Sequence, residues 1–555
     1  MRRFFLFNMF FSLILGAFCF DAQAADVTVS DGPALQAALT AAQDNNEPDT
    51  IRLEAGPYDA SAGTFIYLAA ATENFPLTIL GPAGGGAVID GGDAEIGMGL
   101  DADGLLEDSN VDLVVQDLTF QNGSAPNSGG GLSISTGDAD VSVLDCLFMG
   151  NSAFNNGGGV AAFTDSGRVL YEGNTFTDDN FASNNGGGAA VFSVVDGPVI
   201  ITRNRFEGNS ASNTGGAVAV FSTGSAPVEF TNNLIFNDNH ANNIAGGASF
   251  FLNSGPLNMT HNTVTGNSSD NQAGGLAVSV NSDVAVTNIY NNIIRGNTAT
   301  VETDDIRVFD DANFNNTGSP VNLFNNDFAE FISECADTGG CTSDISEGEN
   351  LNVDPLLVDP AADLRLAAGS PVIDRGDPAA PALPTVDFDG NSRVIGPAPD
   401  MGALEARPEL QVDPAVHDFG SVPQGQSASV ILTIRNVGAL DLELSGLTLS
   451  DNQNYALDLN GGSDPCGTAT PTIDPGDACT VETFFNPQAE GAIPGSLTIN
   501  SNDLVNPAFL VGFTGTGTSG GGCSLAGGPS SFLPWMLGGL LLLGLMQIRR
   551  GQGRP

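Results

Sequence analysis

Arg203 and Arg205 are the only arginines that lie close together in the middle of the chain. Alternation along a strand points both to one side, where two guanidinium groups could neutralise a carboxylate and draw off a neighbouring proton. Carboxylates come in adjacent pairs at Asp178-Asp179, Asp304-Asp305 and Asp310-Asp311. Such pairs offer acid–base groups or hard oxygen ligands for Ca2+. Adjacent residues on a strand face opposite ways, however, which weakens each pair as a catalytic dyad. If the chain is an enzyme, Arg203, Arg205, Asp304 and Asp305 are the residues on which its chemistry would fall. His240 and His261, 21 residues apart, read as solvated turn residues. Cys146, inside the apolar run from Val143 to Phe148, reads as a buried free thiol.

The elements that must hold these residues are set by composition. The 555 residues carry 65 acidic and 16 basic side chains, a net charge of −49, and every basic residue is Arg. Such a balance excludes sequence-independent nucleic-acid binding, which needs a basic surface, and excludes docking on anionic lipid. Acidic Asn/Asp-rich turns leave Ca2+ as the cofactor expectation, set against charge that serves solubility alone. No Cys-x-x-Cys occurs and only three His exist, so zinc is not indicated. Cys466 and Cys479 bracket one short loop, and Cys335 and Cys341 bracket another; in an oxidising compartment both pairs read as disulfides.

That compartment is indicated by the chain ends. Arg2-Arg3, an apolar run from Phe4 to Phe20 and Ala22-Gln23-Ala24 form a signal peptide over residues 1–24. Residues 519–555 hold Gly520-Gly521-Gly522-Cys523, an apolar stretch at 532–548 and Arg549-Arg550. Seventeen helical residues at ~1.5 Å each reach ~26 Å, enough for a thin bilayer, and the arginines place the tail in the cytoplasm. Two readings share this physics. One is a permanent membrane anchor. The other follows a resemblance to bacterial C-terminal sorting signals of the rhombosortase or myxosortase kind, which implies lipid attachment at Cys523. Either way the protein is expected to be exported and held at a membrane or the outer cell surface.

A repeat fills the middle. Gly-Gly pairs begin at 129, 157, 186, 215, 246 and 274, spacings of 28, 29, 29, 31 and 28, and Asp304-Asp305 takes the next slot. An apolar residue and an Asn three positions on precede most pairs, as in Phe148-x-x-Asn151 and Phe206-x-x-Asn209. Short alternating runs such as Ala217 to Phe221 follow them and read as strands. Several strands per ~29 residues with no helix between them describe one coil of a parallel β-helix. Inward Phe, Val, Ile and Leu then stack from coil to coil, and turn Asn amides pair with one another. A dozen such coils at ~4.8 Å give a rod ~60 Å long. In that setting Asp304-Asp305 is expected to close the regular repeats. Near the start, Leu35, Ala38, Leu39 and Ala42 share one helical face after Asp31 and Pro33, giving a helix that caps the open end.

The Gly-Gly-apolar and Phe-x-x-Asn elements resemble the right-handed parallel β-helix superfamily of pectate lyase-like proteins. Within it they look most like the non-catalytic surface branch with polymorphic outer-membrane and adhesin-type repeats. Ser370-Pro371-Val372-Ile373-Asp374-x-Gly376, Asp387-x-Asp389-Gly390-x-x-Arg393 and Asp400-x-Gly402-Ala403-x-Glu405 are similar to the closing segment of choice-of-anchor Q β-helix proteins. The resemblance implies a β-helix domain over residues 25–406. Lyases and hydrolases also use this fold, but the Arg-x-Pro-x-x-Arg of pectate lyases and the His-Gly and Arg-x-Lys of polygalacturonases do not occur in the chain.

From Pro408 the Gly-Gly pairs stop and alternating strands lengthen, as at Val430-x-Leu432-x-Ile434. Turn signals at Gly425-Gln426 and Pro475-Gly476-Asp477 suggest an antiparallel β-sandwich over 407–518. Phe419-Gly420-x-Val422, Asn436-x-Gly438 and Phe485-x-Pro487 resemble the Hydin-type (ASH, choice-of-anchor D) immunoglobulin-like fold, which implies a spacer or interaction module. The whole chain is therefore expected to be all-β, and to act structurally or adhesively toward glycans or surface proteins. An extracellular polysaccharide lyase or hydrolase is the alternative; a single Trp and five Tyr leave few sugar platforms for it.

Overall fold

The computed structural model describes residues 26–520 except 104–109, 281–284, 310–319 and 335–344. The signal peptide, Cys523, the 532–548 stretch, Asp310-Asp311 and the Cys335–Cys341 pair lie outside the described residues. Among those described, no helix is long and apolar enough to cross a membrane.

The coils of the solenoid build four parallel sheets, and only the central ones contribute to all four. A representative coil runs Val199–Thr202, Arg205–Glu207, Ser210–Ala211 and Val218–Ser222. We number the sheets one to four in that order. Among the described residues they hold 12, 10, 7 and 10 strands, so the dozen coils expected from the repeat are met only along sheet one. Registers are fixed residue by residue. Phe148, Phe176, Phe206, Ile235, Val264 and Ile294 stand in one inward column of sheet two. Phe120, Phe148, Phe176 and Phe206 stack at 5.1, 4.8 and 4.6 Å between centroids, nearly coplanar, and are fully buried.

Two ladders of asparagine line the corners. Asn151, Asn180, Asn209, Asn239, Asn267 and Asn297 pass amide hydrogen bonds from coil to coil between sheets two and three. A second ladder, Asn174, Asn204, Asn233, Asn262, Asn292 and Asn326, does the same between sheets one and two. Asn233 accepts from the Asn204 backbone N–H at 3.0 Å and donates to Ile201 O at 2.8 Å and Asn262 Oδ1 at 3.0 Å. Asn233→Ala leaves these buried groups unpaired and is expected to cost about 3 kcal/mol, read as a lowered urea midpoint. An unchanged midpoint would show that the ladder is dispensable.

The glycine register differs by one residue from that expected in the later coils. Positive φ marks 129, 157, 186, 215, 245 and 273, where the last two are alanines. The spacings become 28, 29, 29, 30 and 28, and the Gly246 and Gly274 pairs align one place later than the earlier ones. The following position is the one that excludes a side chain. A Cβ there would lie 2.4 Å from Gly187 O at Gly158 and 2.1 Å from Ser268 O at Gly246.

Helix Gly32–Ala41 closes the first coil, with Asp31 accepting from Ala34 N and Leu35 and Leu39 buried. Gln36 exchanges two hydrogen bonds with the backbone of Ile66 on the edge strand of sheet four, standing in for a missing neighbour. After the last coil, residues 351–406 do not coil. They form a strap that runs back over the outside of sheet two, burying Leu234, Phe236 and Ile293 against Leu364, Leu366, Val372, Met401 and Leu404.

The domain from Leu410 to Thr518 is a sandwich of a four-stranded and a six-stranded sheet with its own core, including Leu432, Ile434, Val481, Ile499 and Val511. It is not wholly antiparallel, because Val416–Pro423 pairs parallel with Ala508–Thr518. Cys466 and Cys479 form a disulfide within it.

Candidate functional site

The structure disperses the residues singled out for chemistry. Arg203 sits not on a strand but at the left-handed corner between sheets one and two, with φ 55°, so it does not share a strand face with Arg205. Its guanidinium pairs with Glu172 at 2.7 Å. Arg205 pairs with Glu207 at 2.7 Å and covers the Phe236 ring at 4.4 Å. Asp304 and Asp305 lie three coils further on at a different corner, ~14 Å along the axis, so the four residues do not form one site.

Asp304 and Asp305 occupy the slots held by Gly274 and Gly275 one coil earlier. A Cβ at Gly274 would meet Thr298 N at 2.3 Å, but Thr298–Ala299 is the last strand of sheet three. The Asp304 carboxylate uses the vacated space and accepts from Ala299 N at 2.7 Å. Asp305 ends the first asparagine ladder, accepting from Asn297 Nδ2 at 3.2 Å and Ala329 N at 2.8 Å. Asp178 and Asp179 are both corner residues with positive φ. Among the described residues, no group of three or more His, Cys, Asp or Glu is placed to hold a metal ion.

Cys146 is buried as an unpaired thiol at the head of the second ladder, where its N–H donates to Asn174 Oδ1. Burial pushes the thiol up to about 12. His240 is half-buried beside Ser268. His261 corrects the expectation of a solvated turn: it is fully buried, because the strap crosses over its corner.

Two arrangements remain that the individual motifs do not announce. One is a stripe on the outer face of sheet four. Phe163, Phe192, Phe221 and Phe251 occupy the fourth position of successive strands and stack at 4.9, 4.8 and 4.9 Å. Beside them Ala161, Ala190 and Ala219 point outward yet are fully buried, since the glycine turn folds over each. A rim of paired surface amides, Asn155, Asn184, Asn213, Asn243 and Asn271, follows the same axis. The rings bury their faces on one another and present edges, which attract carbonyl oxygens and apolar groups rather than offer a flat platform for a sugar.

The second arrangement fastens the strap. Arg393, fully buried, donates to Asn232 Oδ1 at 2.6 Å, Ala403 O at 2.7 Å and Gly402 O at 3.1 Å, and lies 3.5 Å from Glu405 Oε2. His261 Nδ1 is 3.3 Å from Arg393, and its Nε2 meets Asn291 Nδ2 at 3.0 Å. Asp400 accepts from Asp374 N and Ala406 N, while Asp387 accepts from Glu405 N. The closing motifs Asp387-x-Asp389-Gly390-x-x-Arg393 and Asp400-x-Gly402-Ala403-x-Glu405 thus build a clasp. Burial and the Asp400 charge push Glu405 up to about 8, and burial with Asp374 nearby also raises Asp400. Burial and the Arg393 charge hold His261 well below its usual range.

This architecture defines an all-β protein made of a right-handed β-helix followed by an immunoglobulin-like domain. The model of a right handed beta helix region matches residues 99–303. The HYDIN/CFA65/VesB-like, Ig-like domain matches residues 408–513. No curated protein matches the chain. Among solved structures, a protein of unknown function from Porphyromonas gingivalis W83 is 19% identical, with a TM-score of 0.17, over 20% of this chain and 46% of its own. This chain thus spans about half the length of that protein. The VesB protease of Vibrio cholerae is 21% identical over 20% of this chain and 32% of its own, with a TM-score of 0.16. The ASH/PapD-like domain 7 of human CEP192 is 13% identical over 20% of this chain and 87% of its own, also at 0.16.

Proposed function

We propose that this protein is an exported, surface-held scaffold whose solenoid presents the outer face of sheet four to a partner, with the immunoglobulin-like domain as spacer. The observation that carries the reading is the Phe163–Phe192–Phe221–Phe251 stripe. Four half-exposed rings in register, flanked by amides, are more than the coil needs for its own core, which lies on the other side of the strand. Ring edges favour a protein partner over a polysaccharide. Attachment through the 519–555 segment, with or without a lipid at Cys523, belongs to the same proposal, and Ca2+ would enter as a bridge between acidic surfaces.

The test is a binding screen of the ectodomain, residues 25–518, against surface proteins and against acidic and neutral polysaccharides, with and without Ca2+. Binding without turnover is expected, weakened at least tenfold by Phe192→Ser with Phe221→Ser and unaffected by Arg205→Ala. Release of sugar products would overturn the scaffold reading and send mutagenesis back to Arg203, Arg205, Asp304 and Asp305.

A further inference from the structure

We propose that the strap of residues 351–406 is a fastener that alkali releases: it lifts from the solenoid as pH rises, before the coils unfold, and uncovers the apolar flank of sheet two. The geometry behind this is a charge imbalance in a closed site. One guanidinium, Arg393, is surrounded by the carboxylates of Asp387, Asp400 and Glu405, with Asp374 beside Asp400 and a neutral His261 as the remaining neighbour. A single negative charge balances Arg393. Each further ionisation places an uncompensated charge in a buried cluster, which is resolved by opening it to water. On its other side Glu405 faces a small cavity between strap and sandwich, lined also by Arg365, Asp389, Arg407 and Glu409. Those arginines are already engaged, Arg365 with Asp363 and Glu409, and Arg407 with Asp389.

What the clasp holds down is specific. In the two coils before the strap, sheet two carries the outward residues Thr175, Thr177, Arg205 and Glu207, while Leu147 and Met149 one coil earlier are apolar and half-buried. Under the strap the same columns read Leu234, Thr263 and Ile293, all buried, and Phe236, Thr265 and Arg295, of which only Arg295 is partly exposed. Releasing the strap therefore opens Leu234, Phe236 and Ile293 to water.

The direction follows from linkage. The closed clasp holds a proton that the open strap gives up, so opening is favoured as pH rises from the ordinary carboxylate range toward about 8, and levels off above it. His261 stays neutral throughout this window. The background is quiet: with no Lys and three His in the chain, few other groups titrate between pH 7 and 9. Asp327, raised by burial to about 6 near the strap's start, has titrated below that window.

The experiment is hydrogen exchange on the full-length protein between pH 6 and 9, corrected for the intrinsic pH dependence of exchange. The amides followed are Gly402 and Ala403, which the strap bonds to Asn291 O and Thr263 Oγ1 of the solenoid, and Asn204 and Asn233 of the ladder. Strap opening is expected to rise by roughly a hundredfold for release of one proton, while the ladder amides stay protected. Glu405→Gln, an isostere of the protonated acid, should flatten the strap profile. Asp400→Asn leaves the burial that raises Glu405 but removes the charge that adds to it, and should bring the plateau to lower pH, so it reports the same coupling if the first variant does not fold. A flat wild-type profile, or loss of strap and ladder protection together, would overturn the proposal.

Discussion

Gly187→Ala is expected to destabilise the solenoid by at least about 4 kcal/mol, with a large fall in soluble yield and in the urea midpoint of the far-UV signal. The added methyl would sit 2.3 Å from Gly216 O and 2.4 Å from Ser210 O, both backbone atoms of the following coil. Neither can retreat, because each strand of that coil is bonded to another at the fixed spacing of ~4.8 Å. The neighbouring Gly186→Ala supplies the control. Its φ is 67° and its added Cβ would meet Ala189 O of the same turn at 2.2 Å, but Ala245 and Ala273 already occupy the equivalent place, so the turn adjusts and the cost is about 1–2 kcal/mol. Equal losses for the two variants would refute the claim that coil contact, rather than turn conformation, demands this glycine.

Phe206→Ala should cost about 3–5 kcal/mol. Its ring lies 4.6 Å from Phe176, almost parallel to it, and Ile235 follows in the next coil. The cavity cannot collapse along the axis, since the backbone ladders hold the coils apart. Phe221→Ala removes the same atoms from the outer, half-exposed stripe and should cost about 1 kcal/mol, because water fills the space it leaves. Urea titration of the two variants separates an inner column that carries stability from an outer one that carries little of it. A larger loss at Phe221 than at Phe206 would reverse those roles.

Much of this was legible in the residues. Phe-x-x-Asn placed the first ladder and the inner ring column, and Leu35 with Leu39 placed the capping helix. The second ladder was equally periodic, with Asn204, Asn233, Asn262 and Asn292 at spacings of 29, 29 and 30, but no glycine pair draws attention to it. A quieter signal marked the strap. Leu234-Ile235-Phe236 and Ile293-Ile294 are continuous apolar runs, as strands covered on both faces are, although Leu147-Phe148-Met149 reads the same with no strap over it. What covered them had no local sign. The pairing of Arg203 with Glu172 and the edge-capping role of Asp304 likewise depended on which coil came next.

By itself the sequence determined the coil. Its length, columns, ladders and first cap follow from contacts that recur about every 29 residues, so each column is written as a period along the chain. Tertiary structure alone decided the clasp, because Arg393 reaches Asn232 across 161 positions and His261 across 132, and no period joins them. It alone decided that His261 is buried and that Glu405 faces Arg393 with other carboxylates around it. Charge burial depends on what the returning strap excludes from water, and a linear pattern of residue types does not record that exclusion.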